Sequence, residues 1–334
     1  MKLKRLLSFL IKEKRGDRFI FFRNCSYNMR LRGPLVASRL VRRGVSPETV
    51  TKYKATRVYI TLALVIIATC LSPTANAQTP SSGIGIVIMH GKGGSPAKHV
   101  ADLASSLEEK GYLVANLEMP WSGRRAYDVS VNVAEKEVES ALDALRGKGA
   151  KKLFVVGHSQ GGLFALYFGT RHIVDGIIAI APGGNVSNSA FLEKLGASVE
   201  LARRLIAEGK GDEKTNFYDY EGTKGTFSVT TTPAIYLTWF DPSGAMNQMM
   251  AVKNMNPQVP VLYIGPTGDY PGLIKVKQLM FDSLPHNQLT KLYEPDSSHL
   301  NAPSASLDEI VRWTTGLAGM DNPTLQGKPA SVHP

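Results

Sequence analysis

The run Gly157-His158-Ser159-Gln160-Gly161 has the spacing G-x-S-x-G. In a chain with 31 glycines the pentapeptide is weak evidence by itself, so its flanks decide. Residues 153–156 read as an apolar strand and residues 161–167 as a helix. A serine on such a strand–turn–helix corner is held in a strained conformation with its hydroxyl exposed. Gly157 and Gly161 remove the side chains that would collide there. The positive end of the following helix favours an anion at the turn. The backbone N–H of Gln160 is placed to donate to an oxyanion. Ser159 is therefore the candidate nucleophile.

A serine hydroxyl needs a base. Among seven histidines, His299 follows the last expected strand and precedes the last expected helix. That puts it at the carboxyl edge of a sheet, where Ser159 also lies. His158 points away on this turn, His99 lies in a helical pattern, His172 at a helix end, His286 at the opposite edge and His333 in the tail. The base needs an orienting carboxylate. Asp269 closes the turn after the strand in PVLYIGPTGD; Asp241 and Asp296 are the rivals. His90-Gly91-Lys92-Gly93-Gly94 follows the first strand and faces the Ser159 turn. The Lys92 N–H is the expected second oxyanion donor, with Gly93 as the substitute. The loop lacks the G-x-x-x-x-G-K-[ST] spacing of a phosphate-binding loop.

These positions require a scaffold. Strands are expected at residues 84–89, 112–117, 152–156, 177–180, 259–264 and 289–293. Helical stripes alternate with them, implying βαβ units and a mostly parallel sheet of about six strands with helices on both faces. Ser95 and Pro96 look like the cap and first residue of the first helix, which Gly111 ends. Ser306 and Glu309 look like a capping box for the last one. Residues 186–250 interrupt the alternation with an amphipathic helix, a polar aromatic loop at Phe217, Tyr218 and Tyr220, and the apolar stretch 234–240. An excursion of this size reads as a small helical cap over a site.

Charge is unevenly spread. The net is +11, but 16 of the 39 Lys and Arg fall in residues 1–57, against 3 of the 28 Asp and Glu. The remainder carries 23 basic and 25 acidic residues. The body is thus nearly neutral and shows no basic, aromatic-interleaved patch suited to nucleic acid. Both cysteines, Cys25 and Cys70, precede residue 78, leaving the body without a thiol nucleophile or cysteine metal ligand.

Residues 1–57 form a basic leader, in which Met29 is an alternative start. Residues 58–71, VYITLALVIIATCL, are uncharged, and Ala75-Asn76-Ala77 follows. A positive region, a short apolar run and an A-x-A site predict export with cleavage after Ala77 to the periplasm or medium. The alternative is a retained membrane anchor, although 14 residues fall short of the roughly 20 that span a bilayer. The domain then occupies 78–320, and residues 321–334 form a loose tail.

The His90-Gly91 loop, Gly157-His158-Ser159-Gln160-Gly161, Asp269 and His299, in that order, resemble the α/β-hydrolase family over roughly residues 82–318. The resemblance implies Ser-His-Asp acyl transfer, with Ser159 as nucleophile, His299 as base, Asp269 as orienter and the amides of Gln160 and Lys92 as the oxyanion hole. It implies no metal and no organic cofactor, and a small-molecule acyl substrate. It also implies an eight-stranded sheet, of which the first two strands are missing here. A carboxylic ester is the expected substrate; amide, peptide or thioester cleavage is the alternative, and a non-catalytic binding protein of the same fold is the rival from another class. Trp121, after the second strand, is a candidate pocket wall. Arg124 and Arg125 could meet a substrate anion, although a solvated surface role is the plainer reading.

Overall fold

A computed structural model describes residues 83–320 apart from Thr223. The leader, the segment 58–77 and the tail from 321 lie outside the described residues. In chain order the first elements are β1 (Ile84–Met89), α1 (Ala101–Glu109), β2 (Leu113–Leu117), α2 (Val131–Gly147), β3 (Lys152–His158), α3 (Gln160–Gly169) and β4 (Gly176–Ile180). Then follow α4 (Ser189–Ala207), β5 (Thr215–Glu221), β6 (Gly225–Thr231), α5 (Pro233–Phe240) and α6 (Gln248–Lys253). The chain continues with β7 (Val261–Ile264), α7 (Pro271–Asp282), β8 (Lys291–Tyr293), α8 (Ala302–Ala305) and α9 (Leu307–Ala318).

Six strands form one sheet in the order β2-β1-β3-β4-β7-β8, and each neighbouring pair is parallel. Parallel neighbours need crossovers, which place helices on both faces. Ile86, Ile88, Val156 and Ile178 face one side, under Leu103, Leu107 and Ile310. Val87, Met89, Val155 and Ile177 face the other, against Ala134, Val138 and Leu163. Both faces being covered is why the central strands are continuously apolar rather than alternating. The six strands expected from the sequence are all present.

Two helix starts differ from expectation. Ser95-Pro96 does not open α1. Residues 95–101 form successive turns, with Lys98 N–H on Ser95 O at 3.2 Å and Ala101 N–H on Lys98 O at 2.7 Å, and α1 begins at Ala101. Those turns carry Ser95, Lys98 and His99 along the rim of the main cavity. Gly111, at φ 84°, terminates the helix as expected. At α9, Ser306 is the N-cap residue, but its hydroxyl is buried without a hydrogen-bond partner among the described residues. Glu309 does not reach back, because Lys291 at 2.7 Å and Arg312 take its carboxylate.

The insertion is helical as expected and also contains a hairpin. The aromatic segment expected as a loop is β5, paired antiparallel with β6 in the register Phe217↔Val229 and Asp219↔Phe227. Phe217 and Asp219 face inward, whereas Tyr218 faces solvent. The segment 234–240 is helix α5, capped by Thr232, whose side chain accepts from Ile235 N–H. Phe217, Tyr236 and Phe240 stack with successive centroids 4.3 Å apart, tying hairpin to helix. Among the described residues no helix is long and apolar enough to cross a membrane.

Candidate active site

β3 ends at His158 and α3 begins at Gln160, leaving Ser159 alone at the corner. Its backbone is at φ 55°, ψ −117°, a region an L-residue occupies at a cost of about 1–3 kcal/mol. The conformation is over-determined. Ser159 N–H donates to Ile180 O at 2.8 Å, and its carbonyl accepts from Leu163 and Gly183, both at 3.1 Å. A Cβ on Gly157 would sit 1.9 Å from Gly161 O, and one on Gly161 would sit 2.5 Å from Met89 O. Only glycine fits either position.

Asp269 and His299 come together because the segments after β7 and β8 run side by side beyond the sheet. Thr267 N–H donates to Pro295 O and Gly268 N–H to Ser297 O, each at 3.0 Å, and Gly268 bridges Ser298. The imidazole Nδ1 lies 2.7 Å from Asp269 Oδ1, with both side chains buried. A carboxylate accepts only, so Nδ1 carries the proton and Nε2 is the ring nitrogen left to accept one. Tyr270 adds its N–H to the same carboxylate oxygen at 2.7 Å and lays its ring 4.4 Å from that of His299. The rival carboxylates are engaged elsewhere. Asp241 pairs with Arg203 at 3.3 Å, and Asp296 accepts from the Thr267 hydroxyl at 3.2 Å.

Ser159 and His299 line one cavity of about 890 Å³, together with the glycine loop, Phe191, Tyr270 and Leu273. Within the loop the amides divide. Gly93 N–H is spent on Trp121 O at 2.9 Å and Gly94 N–H on Gly91 O at 3.0 Å. Among the described residues the Lys92 and Gln160 amides have no acceptor, which favours Lys92 over Gly93 as the loop donor. Gly91 is needed here too, since a Cβ would lie 3.1 Å from that of Ser159.

Two buried histidines frame the site. His90 accepts the Met119 N–H at Nε2, 3.0 Å, so its Nδ1 donates to Gly91 O at 2.8 Å. Burial lowers its pKa. His158 is pushed down to about 3 by burial and by the neighbouring His299. Both are neutral near pH 7.

Trp121 is not the pocket wall it was expected to be. It is 2% exposed and lies behind the loop, donating Nε1–H to His90 O at 2.8 Å and packing edge-on against Phe164 and Trp239. The buried position gives its N–H an acceptor and its ring aromatic neighbours. Arg125 is held by Glu137 at 2.7 Å and Asp128 at 3.1 Å, and Arg124 is exposed beside Glu118. Neither arginine lines the cavity.

Three residues at the site escaped sequence reasoning: Tyr270, Tyr127 and Asp219. Asp219 is 0% exposed, its Oδ1 2.5 Å from Lys92 Nζ and its Oδ2 2.9 Å from the Tyr127 hydroxyl. An acid at an inward position of an alternating strand was the available signal.

Residues 83–217 match the family described as Serine aminopeptidase, S33. Esterase EstD of Thermotoga maritima is 27% identical over 108 residues, which is 29% of this chain and 26% of the relative. The chain thus spans about a quarter of that curated relative. Among solved structures, DcsB in complex with its substrate analogue superposes with a TM-score of 0.54 at 14% identity, covering 72% of this chain and 92% of that one. A thermostable carboxyl esterase from Bacillus coagulans gives 0.52 at 15%, covering 72% and 91%. The monoacylglycerol lipase of Paleococcus ferrophilus gives 0.50 at 20%, covering 72% and 96%.

Proposed function

We propose that this chain, whose α/β-hydrolase fold matches those solved structures, is a serine hydrolase cleaving a carboxylic ester of a small-molecule acyl substrate. The observation that carries the reading is the strained Ser159 corner opening on the same cavity as His299, whose Nδ1 is 2.7 Å from Asp269. Ser159 Oγ attacks the ester carbonyl while His299 Nε2 takes its proton. Asp269 fixes the ring and stabilises the imidazolium as it forms. The negative charge on the carbonyl oxygen falls to the amides of Lys92 and Gln160, each such donor contributing about 3 kcal/mol in comparable sites. His299 returns the proton to the leaving alcohol. Water, deprotonated by the same nitrogen, then releases the acid.

The local similarity to a Thermotoga esterase supports an ester. The matched family description, a serine aminopeptidase, favours a second reading in which the scissile bond is an amide. A panel of p-nitrophenyl esters, thioesters and aminoacyl anilides separates the two. Ester turnover without anilide turnover supports the first, and the reverse replaces it. Labelling by a fluorophosphonate probe tests the nucleophile against a non-catalytic role: it should occur and vanish in Ser159→Ala.

The basic leader, the apolar run and the A-x-A site support export, with the domain acting in the periplasm or medium. N-terminal sequencing of the exported protein should begin at Gln78. A mature chain that retains residues 58–71 would establish the anchor instead.

A further inference from the structure

The oxyanion loop poses a positioning problem. In Gly91-Lys92-Gly93-Gly94 only Lys92 has a side chain, so three glycines surround the one amide that must hold still. That side chain reaches out of the loop and into the cap. Its ammonium meets Asp219 Oδ1 at 2.5 Å and Tyr220 O at 3.1 Å, and lies 5.0 Å from the centre of the Phe191 ring. All three partners belong to the insertion.

The other amide is tied to the same carboxylate. The Tyr127 hydroxyl has one proton, which it donates to Asp219 Oδ2 at 2.9 Å. Its oxygen then accepts from Gln160 Nε2 at 3.2 Å. Burial and the adjacent Asp219 charge raise the Tyr127 pKa well above its ordinary value, so the donor stays protonated. Tyr127 itself is held at φ 56°, beside Ala126 at φ 47°, and Thr231 of the hairpin donates its hydroxyl to Tyr127 O at 2.8 Å. Strained, over-determined residues of this kind gather where geometry matters to function.

We propose that Asp219 is a positioning residue: from the cap hairpin, one buried carboxylate holds both residues whose amides receive the oxyanion, Lys92 directly and Gln160 through Tyr127. The proposal rests on the serine-hydrolase reading. It makes the hairpin a working part of the oxyanion hole rather than a cover over it. A buried ion pair adds little net stability compared with an apolar pair of similar volume, so its value lies in the geometry it fixes.

The test compares Asp219→Asn, Tyr127→Phe and the double variant Asp219→Leu/Lys92→Met, which removes both charges but keeps the loop amide. Hydrolysis of p-nitrophenyl butyrate is normalised to active sites counted by complete fluorophosphonate labelling, and melting is followed separately. Asp219→Asn should lower kcat per labelled site about tenfold or more, as small misplacements of reacting groups do. KM should stay within about twofold, since the substrate's ground-state contacts are untouched. The pH midpoint of kcat should not move. Tyr127→Phe, which cuts one arm, should lose less. The double variant should recover melting temperature without recovering kcat, and it carries the test if Asp219→Asn does not fold. An unchanged kcat per site in these variants, or recovery of kcat together with stability, would reduce Asp219 to a structural ion pair and overturn the proposal. Failure of the unmodified protein to label would remove the serine-hydrolase reading, and this proposal with it.

Discussion

His158 donates Nε2–H to the backbone carbonyl of His299 at 2.9 Å, and the two rings lie 4.9 Å apart. The residue before Ser159 thus holds the main chain of His299. A carbonyl only accepts, so the proton is fixed on Nε2, and the buried Nδ1 has no hydrogen-bond partner among the described residues. Protonating that nitrogen would bury an uncompensated charge.

The consequence is a pH dependence of stability. The pKa of His158 is about 3 in the folded protein, against the ordinary 6.5. Below 6.5 the unfolded chain binds a proton that the folded one refuses. Stability is therefore full above about pH 6.5 and falls as pH drops towards 3, with this group contributing up to a few kcal/mol. Urea unfolding at pH 7 and pH 4.5 should show a smaller acid loss in His158→Gln than in the unmodified protein. Equal losses would show that His158 does not set the slope.

The strain at Ser159 predicts a split between two inactivating substitutions. Ser159→Ala and Ser159→Gly should both lack ester hydrolysis and fluorophosphonate labelling. Only glycine relaxes at φ 55°, so Ser159→Gly should be the more stable of the two by about 1 kcal/mol or more. Differential scanning calorimetry reads the difference, and a higher melting temperature for the alanine variant would contradict it.

Asp269 accepts from His299 and from Tyr270 N–H. Asp269→Asn keeps the shape but offers an amide, which stabilises the wrong tautomer and leaves the imidazolium unsupported. We expect kcat to fall by roughly three to four orders of magnitude with labelling slowed in parallel. Activity within tenfold of the starting protein would return the orienting role to another carboxylate.

Phe191 lines both the main cavity and a second one of about 200 Å³ beneath α4, walled by Leu195, Val199 and Phe240. Among the described residues it is the one that lines both. Phe191→Ala should join the two spaces and raise the decanoate-to-butyrate ratio of kcat/KM for p-nitrophenyl esters by about tenfold, the scale set by burying two or more additional methylenes. An unchanged ratio would mean that acyl chains do not run in this direction.

Much of this was legible in the sequence because the signals were local. A continuous β-branched run at 84–89 marked a strand covered on both faces, and Gly157 and Gly161 marked a corner that tolerates no side chain. That Asp269 and His299 meet could be read from the sequence because each follows a strand towards the same sheet edge. Asp219 was not, because its partners lie 127 and 92 residues away, brought close only by folding of the cap. Its strand read as a loop since Asn216, Asp219, Gly222 and Gly225 favour turns as individuals. Ser306 and Glu309 spelled a capping box, but Lys291, 18 residues before Glu309, competes for the glutamate, and local spacing does not register a competitor that distant.

The stitching of the 267–268 segment to the 295–298 segment bears on how the chain could be rewired. Asp269 and His299 are fastened directly to one another, so α7 and the turn after it form a closed excursion that returns to the sheet through β8. His286 and Gln288, at its far end, are exposed. The order in which the backbone visits Ser159, Asp269 and His299 is therefore separable from the constellation they form: a chain opened at residues 286–288 would still lay the pair side by side.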